Sequence, residues 1–336
     1  MPGVVGRLLV YKEIIITRGA FRMVKNKLLI STLWLSFNFR QKINDMSNLC
    51  LSYNKILGLL HELEPQDNFL NQIRIPKLSD KQLIALALAA ESSSIDSERH
   101  LFKQLPATVA GQIDRSVFNR RRRQLMPKIE HFRQRMVSVL APSENYYFVD
   151  SMPLEICKFG RAKRLRICQE TDSAEPDYGY CAVHKAYYFG YKIHAVCTPN
   201  GTIKTFDISS ASTHDIHYLN DLKTQLSSCV LVGDKGYLSR QYQDDLFDSA
   251  TIRLETPMRR NQADFAPFSP VLRKARKRIE TLFSQLCDQF MIRRNYAKSF
   301  QGLSTRILSK LTALTLIQLL NLRNGSNLNN IKIVIA

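Results

Sequence analysis

Cys229-Val230-Leu231-Val232-Gly233-Asp234-Lys235-Gly236 is a run of four apolar residues that stops on a glycine and an aspartate. Such a run, closed by turn formers, reads as a strand with an acid at its end. The same pattern occurs earlier, where Tyr146-Tyr147-Phe148-Val149 ends at Asp150. Between the two, Tyr187 to Cys197 and Ile203 to Ser209 are further strand candidates, joined by a turn at Pro199-Asn200-Gly201. A helix is expected from about His214 to Leu226, another from Ser239 to Phe247, and a short strand from Ile252 to Glu255. Two long helices follow, Pro270 to Phe290 and Leu303 to Leu322. Ser269 is placed to cap the first of them, with Pro270 in its first turn. The order β-β-β-α-β-α-β-α-α describes an α/β fold. Its three leading strands form an antiparallel meander, and the later ones add in parallel through helical crossovers. The product is a mixed sheet flanked by helices.

Upstream, from residue 46 to about 140, the pattern is helical. Ser79-Asp80-Lys81-Gln82 is a capping box ahead of the apolar run Leu83-Ile84-Ala85-Leu86-Ala87-Leu88. A second start at Ser116 leads into Arg120-Arg121-Arg122-Arg123. Four arginines on one turn repel each other unless phosphates neutralise them. They fit the second helix of a helix-turn-helix in a DNA groove, or equally a solvated basic face. Residues 1–45 carry basic residues but neither caps nor a sustained period, and Met46 opens the first clean helical signal. Met46 therefore reads as the natural start. The expected organisation is a leader at 1–45, an all-α helix-turn-helix-like DNA-binding domain at 46–142, an α/β domain at 143–323 and a frayed tail at 324–336.

Charge narrows the partner. The chain has 48 Lys and Arg against 29 Asp and Glu, a net charge of +19. That excess attracts polyanions, so nucleic acid is the default partner, although it says nothing about chemistry. Seven scattered cysteines without a secretory signal imply free thiols in a reducing cytosol. Cys168, Cys181 and His184 come nearest to a metal cluster, but no second close pair completes a zinc site. The apolar stretch Leu28 to Phe39 is too short to span a bilayer and no other stretch approaches that length, so a soluble protein without a membrane partner is expected. Trp34 falls in the leader and has no assigned role.

The chemistry rests on carboxylates. Asp150 and Asp234 sit at strand ends, where α/β sheets gather their site residues. Glu280 lies on the long helix, in Arg273-Lys274-Ala275-Arg276-Lys277-Arg278-Ile279-Glu280. Three converging carboxylates repel unless a cation intervenes. Oxygen donors favour Mg²⁺ or Mn²⁺, and two such ions clamp both oxygens of an in-line phosphoryl displacement. Arg276, one turn before Glu280, is expected to face a DNA phosphate. Lys192 and His194 share one strand face and are expected near the DNA, as are Arg259 and Arg260 on the loop after Pro257. His214-Asp215 either supports the site or caps a helix, the cap being favoured. Each acid also has a plainer reading: a turn former at Asp234, a helix cap at Asp150, a surface ion pair at Glu280.

Taken in order, several motifs together resemble the insertion-sequence DDE transposases. They are Asp150 after its strand, Tyr188-Phe189-Gly190-Tyr191-Lys192-Ile193-His194, Ser212-Thr213-His214-Asp215, Gly233-Asp234-Lys235-Gly236-Tyr237, and Arg276 four residues before Glu280. Within that group the chain is most similar to the IS982 family, over about Met46 to Leu322. The resemblance implies a ribonuclease-H-like core, with Asp150, Asp234 and Glu280 as catalytic and metal-holding residues and two Mg²⁺ or Mn²⁺ ions per site. It implies double-stranded DNA as partner, both the element's terminal inverted repeats and the target. A homodimer or higher multimer on DNA, in the bacterial cytoplasm, follows in the same way. The chain departs from related families at Arg273, where they carry Tyr, and at Cys287, where they carry Lys. The short interval between Asp234 and Glu280 leaves no room for the large β insertion domain of some relatives. Two other readings stay open: a non-catalytic nucleic-acid-binding protein, and a metal-dependent nuclease without strand transfer.

Overall fold

The computed structural model describes residues 48–331 except 171–174, 184 and 262–264. The expected leader, with Trp34 and the Leu28 to Phe39 stretch, and His184 lie outside the described residues. Helix α1 occupies 48–63. It is followed by α2 (Asp80–Ser92), α3 (Glu98–Gln104), α4 (Ala107–Ala110), α5 (Arg115–Gln124) and α6 (Met126–Leu140). The capping box forms as expected: Ser79 Oγ accepts from the Gln82 amide, and Gln82 Oε1 accepts from the Ser79 amide at 2.8 Å. Residues 64–79 are not helical, contrary to the sequence reading. Asp80 organises them instead, its Oδ2 accepting from the amides of Phe69 and Leu70 at 2.8 and 2.9 Å.

The sheet contains β1 (Tyr146–Cys157), β2 (Asp177–Cys181), β3 (Ala186–Cys197), β4 (Ile203–Ser210), β5 (Cys229–Val232) and β6 (Ile252–Glu255). Strands β4, β3 and β1 are antiparallel neighbours, and β5 and β6 extend β1 in parallel. This mixed order is ribonuclease-H-like. Helices α7 (Tyr218–Gln225) and α8 (Arg240–Ala250) make the crossovers, and α9 (Pro270–Asp288) and α10 (Phe300–Arg323) follow. The sequence did not foresee β2. It shares one edge of β3 with β4: Gly190 faces Glu155 on one side and Asp177 on the other, while Tyr191 faces Leu154 and Ser210.

β1 also runs further than expected, past Asp150 to Cys157, because β3 pairs with it all the way to Phe189. Pro153 is accommodated because β5 pairs only as far as Phe148 and leaves that edge open. Opposite the bulge at Glu155 to Cys157, Gly190 has φ +150°, and a Cβ there would lie 2.3 Å from the Leu154 carbonyl oxygen. Only glycine fits.

Alternation along the strands divides the core. Met152, Leu154, Tyr191, Ile193 and Ala195 face α9, α10 and the helical region. Tyr147, Val149 and Val196 face α7 and α8. α9 is amphipathic, burying Ile279, Leu282, Phe283 and Leu286 at helical spacing. α10 is buried on nearly every side, polar residues included. Contrary to the sequence reading it is long and apolar enough to cross a membrane, yet 94% of its most apolar stretch is buried inside the protein. It packs on α2, α5 and α6 as well as on α9 and β4. The helical region and the sheet therefore share one core, and no free-standing helical domain ends at 142. Nor is the chain frayed over 324–331. Asn321 on α10 donates to the carbonyls of Leu328 and Asn330, and Ile331 is buried.

Candidate active site

β1 and β5 run side by side with Phe148 opposite Val232. Two residues beyond that last parallel pair, Asp150 lies within β1 and Asp234 in the turn after β5, so both stand at the carboxyl edge of the parallel pairing. The turn after β5 is tightly determined. The Gly233 amide donates to the Glu255 carbonyl at 3.0 Å, and a Cβ at Gly233 would come within 3.1 Å of the buried Tyr237 ring. Asp234 Oδ1 accepts from the Gly236 amide at 2.7 Å. Asp234 is thus a turn former, and the turn aims it beside Asp150.

α9 supplies the rest of the site. It lies against β1, where the Cys287 thiol approaches the Met152 sulfur at 3.6 Å. That packing brings Arg276 and Glu280, one turn apart, over Asp150. Arg276 bridges the two acids, Nη1 at 3.1 Å from Asp150 Oδ2 and Nη2 at 2.9 Å from Glu280 Oε1. The sequence reading turned Arg276 outward to a phosphate. The structure turns it inward, because the acids around it need a cation. Burial, reinforced by the charges of Asp234 and Glu280, pushes the Asp150 carboxyl up to about 6, against the opposing pull of the Ser151 amide and Arg276.

The donor set is oxygen only, which suits a hard divalent ion such as Mg²⁺ or Mn²⁺. Among the described residues no three acids, imidazoles or thiols stand close enough to form a ready metal cluster. The Arg276 guanidinium lies between two of the acids, so a positive charge already stands where this chemistry calls for one.

Other expected site residues lie elsewhere. Lys192 and His194 do share a face, but it is the one opposite Asp150. Lys192 Nζ donates to the Thr213 carbonyl at 2.8 Å and to Asp215 Oδ1 at 2.9 Å. His194 is 1% exposed, shares a 2.8 Å hydrogen bond with Ser209 Oγ and stacks on Tyr218. Burial pushes its imidazole down to about 4. Both side chains are engaged within the protein. His214 caps the short turn at Asp215–His217, its Nδ1 accepting from the Ile216 amide at 3.3 Å. Arg259 and Arg260 are exposed on the loop after β6, at the same end of the parallel strands as the acids.

The arginine run is divided. Arg121 pairs with Asp80 at 2.6 Å, and Arg122 with Glu98 at 2.9 Å and Glu91 at 3.7 Å. Both arginines are buried, so internal acids relieve their repulsion and they are not available to a DNA groove. Arg120 is exposed and Arg123 is half-buried. Glu91, which the sequence reading passed over, is 2% exposed and gathers Lys310 at 2.5 Å and Arg306 at 3.5 Å besides Arg122. Burial alone would raise its pKa, but these cations hold it below the usual carboxylate range. The available signal was an acid closing the apolar run Leu83 to Ala90, matched by a lone lysine inside another helix.

The profile of the transposase DDE domain family matches residues 142–316, just over half of the chain, and that span contains all three acids. No curated protein matches the chain. Among solved structures, the Mos1 transposase paired-end complex with left transposon end aligns at 9% identity with a TM-score of 0.20, over 76% of this chain and 85% of that one. That score is too low to bear on the fold. The family match, spanning β1 to α10 and the carboxylates they carry, makes the chain a member of the transposase DDE domain family.

Proposed function

We propose that this protein cuts the ends of an insertion sequence and joins them to target DNA, using Asp150, Asp234 and Glu280 with two Mg²⁺ or Mn²⁺ ions. The observation that carries the proposal is the placement of Asp150 and Asp234 two residues past the last parallel pair of β1 and β5, with α9 bringing Glu280 to Asp150 through Arg276. When bound, the ions would supply the charge that offsets the attacking and leaving oxygens of a displacement at phosphorus. The chain's own part is positioning. Asp150 is fixed in β1 and Asp234 by the Gly236 amide, while Glu280 is 51% exposed and adjusts from the helix. Arg276 neutralises the acids when no cation is present and turns to a DNA phosphate when one is. In cleavage, a water oxygen bonds to phosphorus as the P–O3′ bond breaks, leaving a 3′-hydroxyl and a 5′-phosphate. In joining, that 3′-hydroxyl oxygen bonds to a target phosphorus and a target 3′-oxygen leaves with a proton. No covalent bond to the protein is needed.

Membership of the IS982 family, assembly as a homodimer or larger multimer on DNA, and residence in the bacterial cytoplasm belong to the same proposal. The motif order and the net charge of +19 support it. The test is a cleavage and strand-transfer assay on DNA carrying the element's ends, with Mg²⁺, Mn²⁺ or EDTA. Wild type is expected to give metal-dependent joined products. Asp234→Asn is expected to bind DNA normally and give none. Cleavage that never leads to joining would identify a nuclease, and tight binding without cleavage under any metal would identify a non-catalytic binding protein.

A further inference from the structure

Two cavities of about 640 Å³ each lie between α3, α5, the start of α10 and the segment after β1. Both are lined by Arg123, Lys298 and Ser299, so they adjoin along one groove-like stretch of surface. Arg99 and Arg115 line the first cavity and Arg166 the second. The acids along the groove are already engaged. Asp96 takes the Tyr296 hydroxyl, Glu98 takes Arg122 and Asn119, and Glu170 accepts from the Phe300 amide. Among the described residues, none of Arg99, Arg115, Arg123, Arg166 and Lys298 makes an ion pair within the protein.

The wall behind the groove adds to the excess. Arg122, Arg306 and Lys310 outnumber the two acids they enclose, Glu91 and Glu98, and Arg306, only 6% exposed, itself lines the first cavity. A concave surface with surplus positive charge on low-dielectric walls concentrates its field outward and attracts anions. Its cations are shared out over two adjoining cavities, an arrangement that suits a chain of phosphates better than a single ion. The groove also lies on the side of the sheet that carries the carboxylates. Tyr191, on the same face of β3 as the residue opposite Asp150, packs on Phe300 at 5.3 Å in the first turn of α10.

We infer that this groove holds successive backbone phosphates of a DNA strand, without regard to base sequence, through Arg99, Arg115, Arg123, Arg166 and Lys298. The inference rests on the reading that the chain handles DNA, and it adds a binding track that the helix-turn-helix reading of α5 did not include.

The test is binding of fluorescent element-end DNA and of unrelated DNA in EDTA, across a salt series. It compares wild type with an Arg115→Gln, Arg123→Gln, Lys298→Gln triple variant and with Lys298→Gln alone. Each phosphate that the protein ceases to neutralise lowers the slope of log affinity against log salt by about one. The triple variant is expected to lose about two to three from that slope and at least about tenfold in affinity on both DNAs, and the single variant about one. Lys298 is exposed, so the single variant keeps the test valid if the triple variant melts early. An unchanged slope in both variants would overturn the inference and leave the transposase reading intact. A wild type that binds neither DNA would overturn both. If millimolar pyrophosphate stabilises wild type but not the variants while DNA affinity is equal in all, the groove is a small-anion pocket and the inference fails.

Discussion

Arg276 holds two acids at once, and its removal separates its electrostatic role from its packing. Arg276→Gln leaves Asp150 and Glu280 facing each other, with Asp234 close by. In EDTA it is expected to lose about 1–2 kcal/mol of stability, a modest figure because the group is partly solvated. Added Mn²⁺ should then raise its melting temperature more than it raises that of wild type. Equal Mn²⁺ shifts would show that Arg276 and the ion do not compete. His194 gives a second residue-level expectation. Its pKa in the folded protein, about 4, lies below the ordinary value of about 6.5, so between those values the unfolded chain binds the extra proton. Stability should be unaffected by this group above about pH 6.5 and fall by up to about 3 kcal/mol as pH drops towards 4. Urea titrations at several pH values check this, and His194→Gln should flatten that part of the profile. The three acids were legible because each ends or punctuates a local pattern. The roles of Lys192, His194, Arg121 and Arg122 were not. Period-two alternation says which residues share a face but not which face points to the site. The partners of the arginines, Asp80 and Glu98, lie 41 and 24 residues away along the chain.

Helices α2 and α10 are joined by charge in the middle of an apolar interface. Lys310 donates to Glu91 and to the Phe290 carbonyl, and Arg306 and Arg122 complete the group. Glu91→Leu would leave three buried cations without their common counterion, at a cost of about 3–5 kcal/mol. A change below about 1 kcal/mol in a denaturant titration would show that solvent reaches the group. Local signals found β3 to β6 and the helices of the sheet region because turns and caps punctuate them. The length of β1 was hidden because Pro153 reads as a breaker, whereas the pairing of β3 decides where the strand ends. β2 was missed because Asp177–Cys181 is a short polar-aromatic run that becomes a strand only against β3.

At the scale of the whole molecule, one helix serves two neighbours. The sequence reading divided the chain at 142 because composition and period change there, and nothing local shows that α10 fills the helical region's core. A fragment from Met46 onward is therefore expected to unfold in a single cooperative transition, with the same activity as the full chain in the strand-transfer assay. Residues 46–142 alone should lack a cooperative transition. Two resolved transitions by calorimetry, or a stably folded 46–142 fragment, would contradict the shared core.

The position of α10 also fixes when this core becomes complete. A ribosome adds roughly 5–20 residues per second and releases the amino-terminal part first. Helices α1 to α6 and strands β1 to β6 all emerge before Phe300, while the helix that covers them is still to come. The nascent chain must hold open apolar surface, sheltered by chaperones or by itself, until α10 docks. A premature stop codon ahead of Phe300 would yield an unfinished core rather than a weakened enzyme. Competence to engage DNA would then arrive in one step for each molecule made, once α10 has left the ribosome.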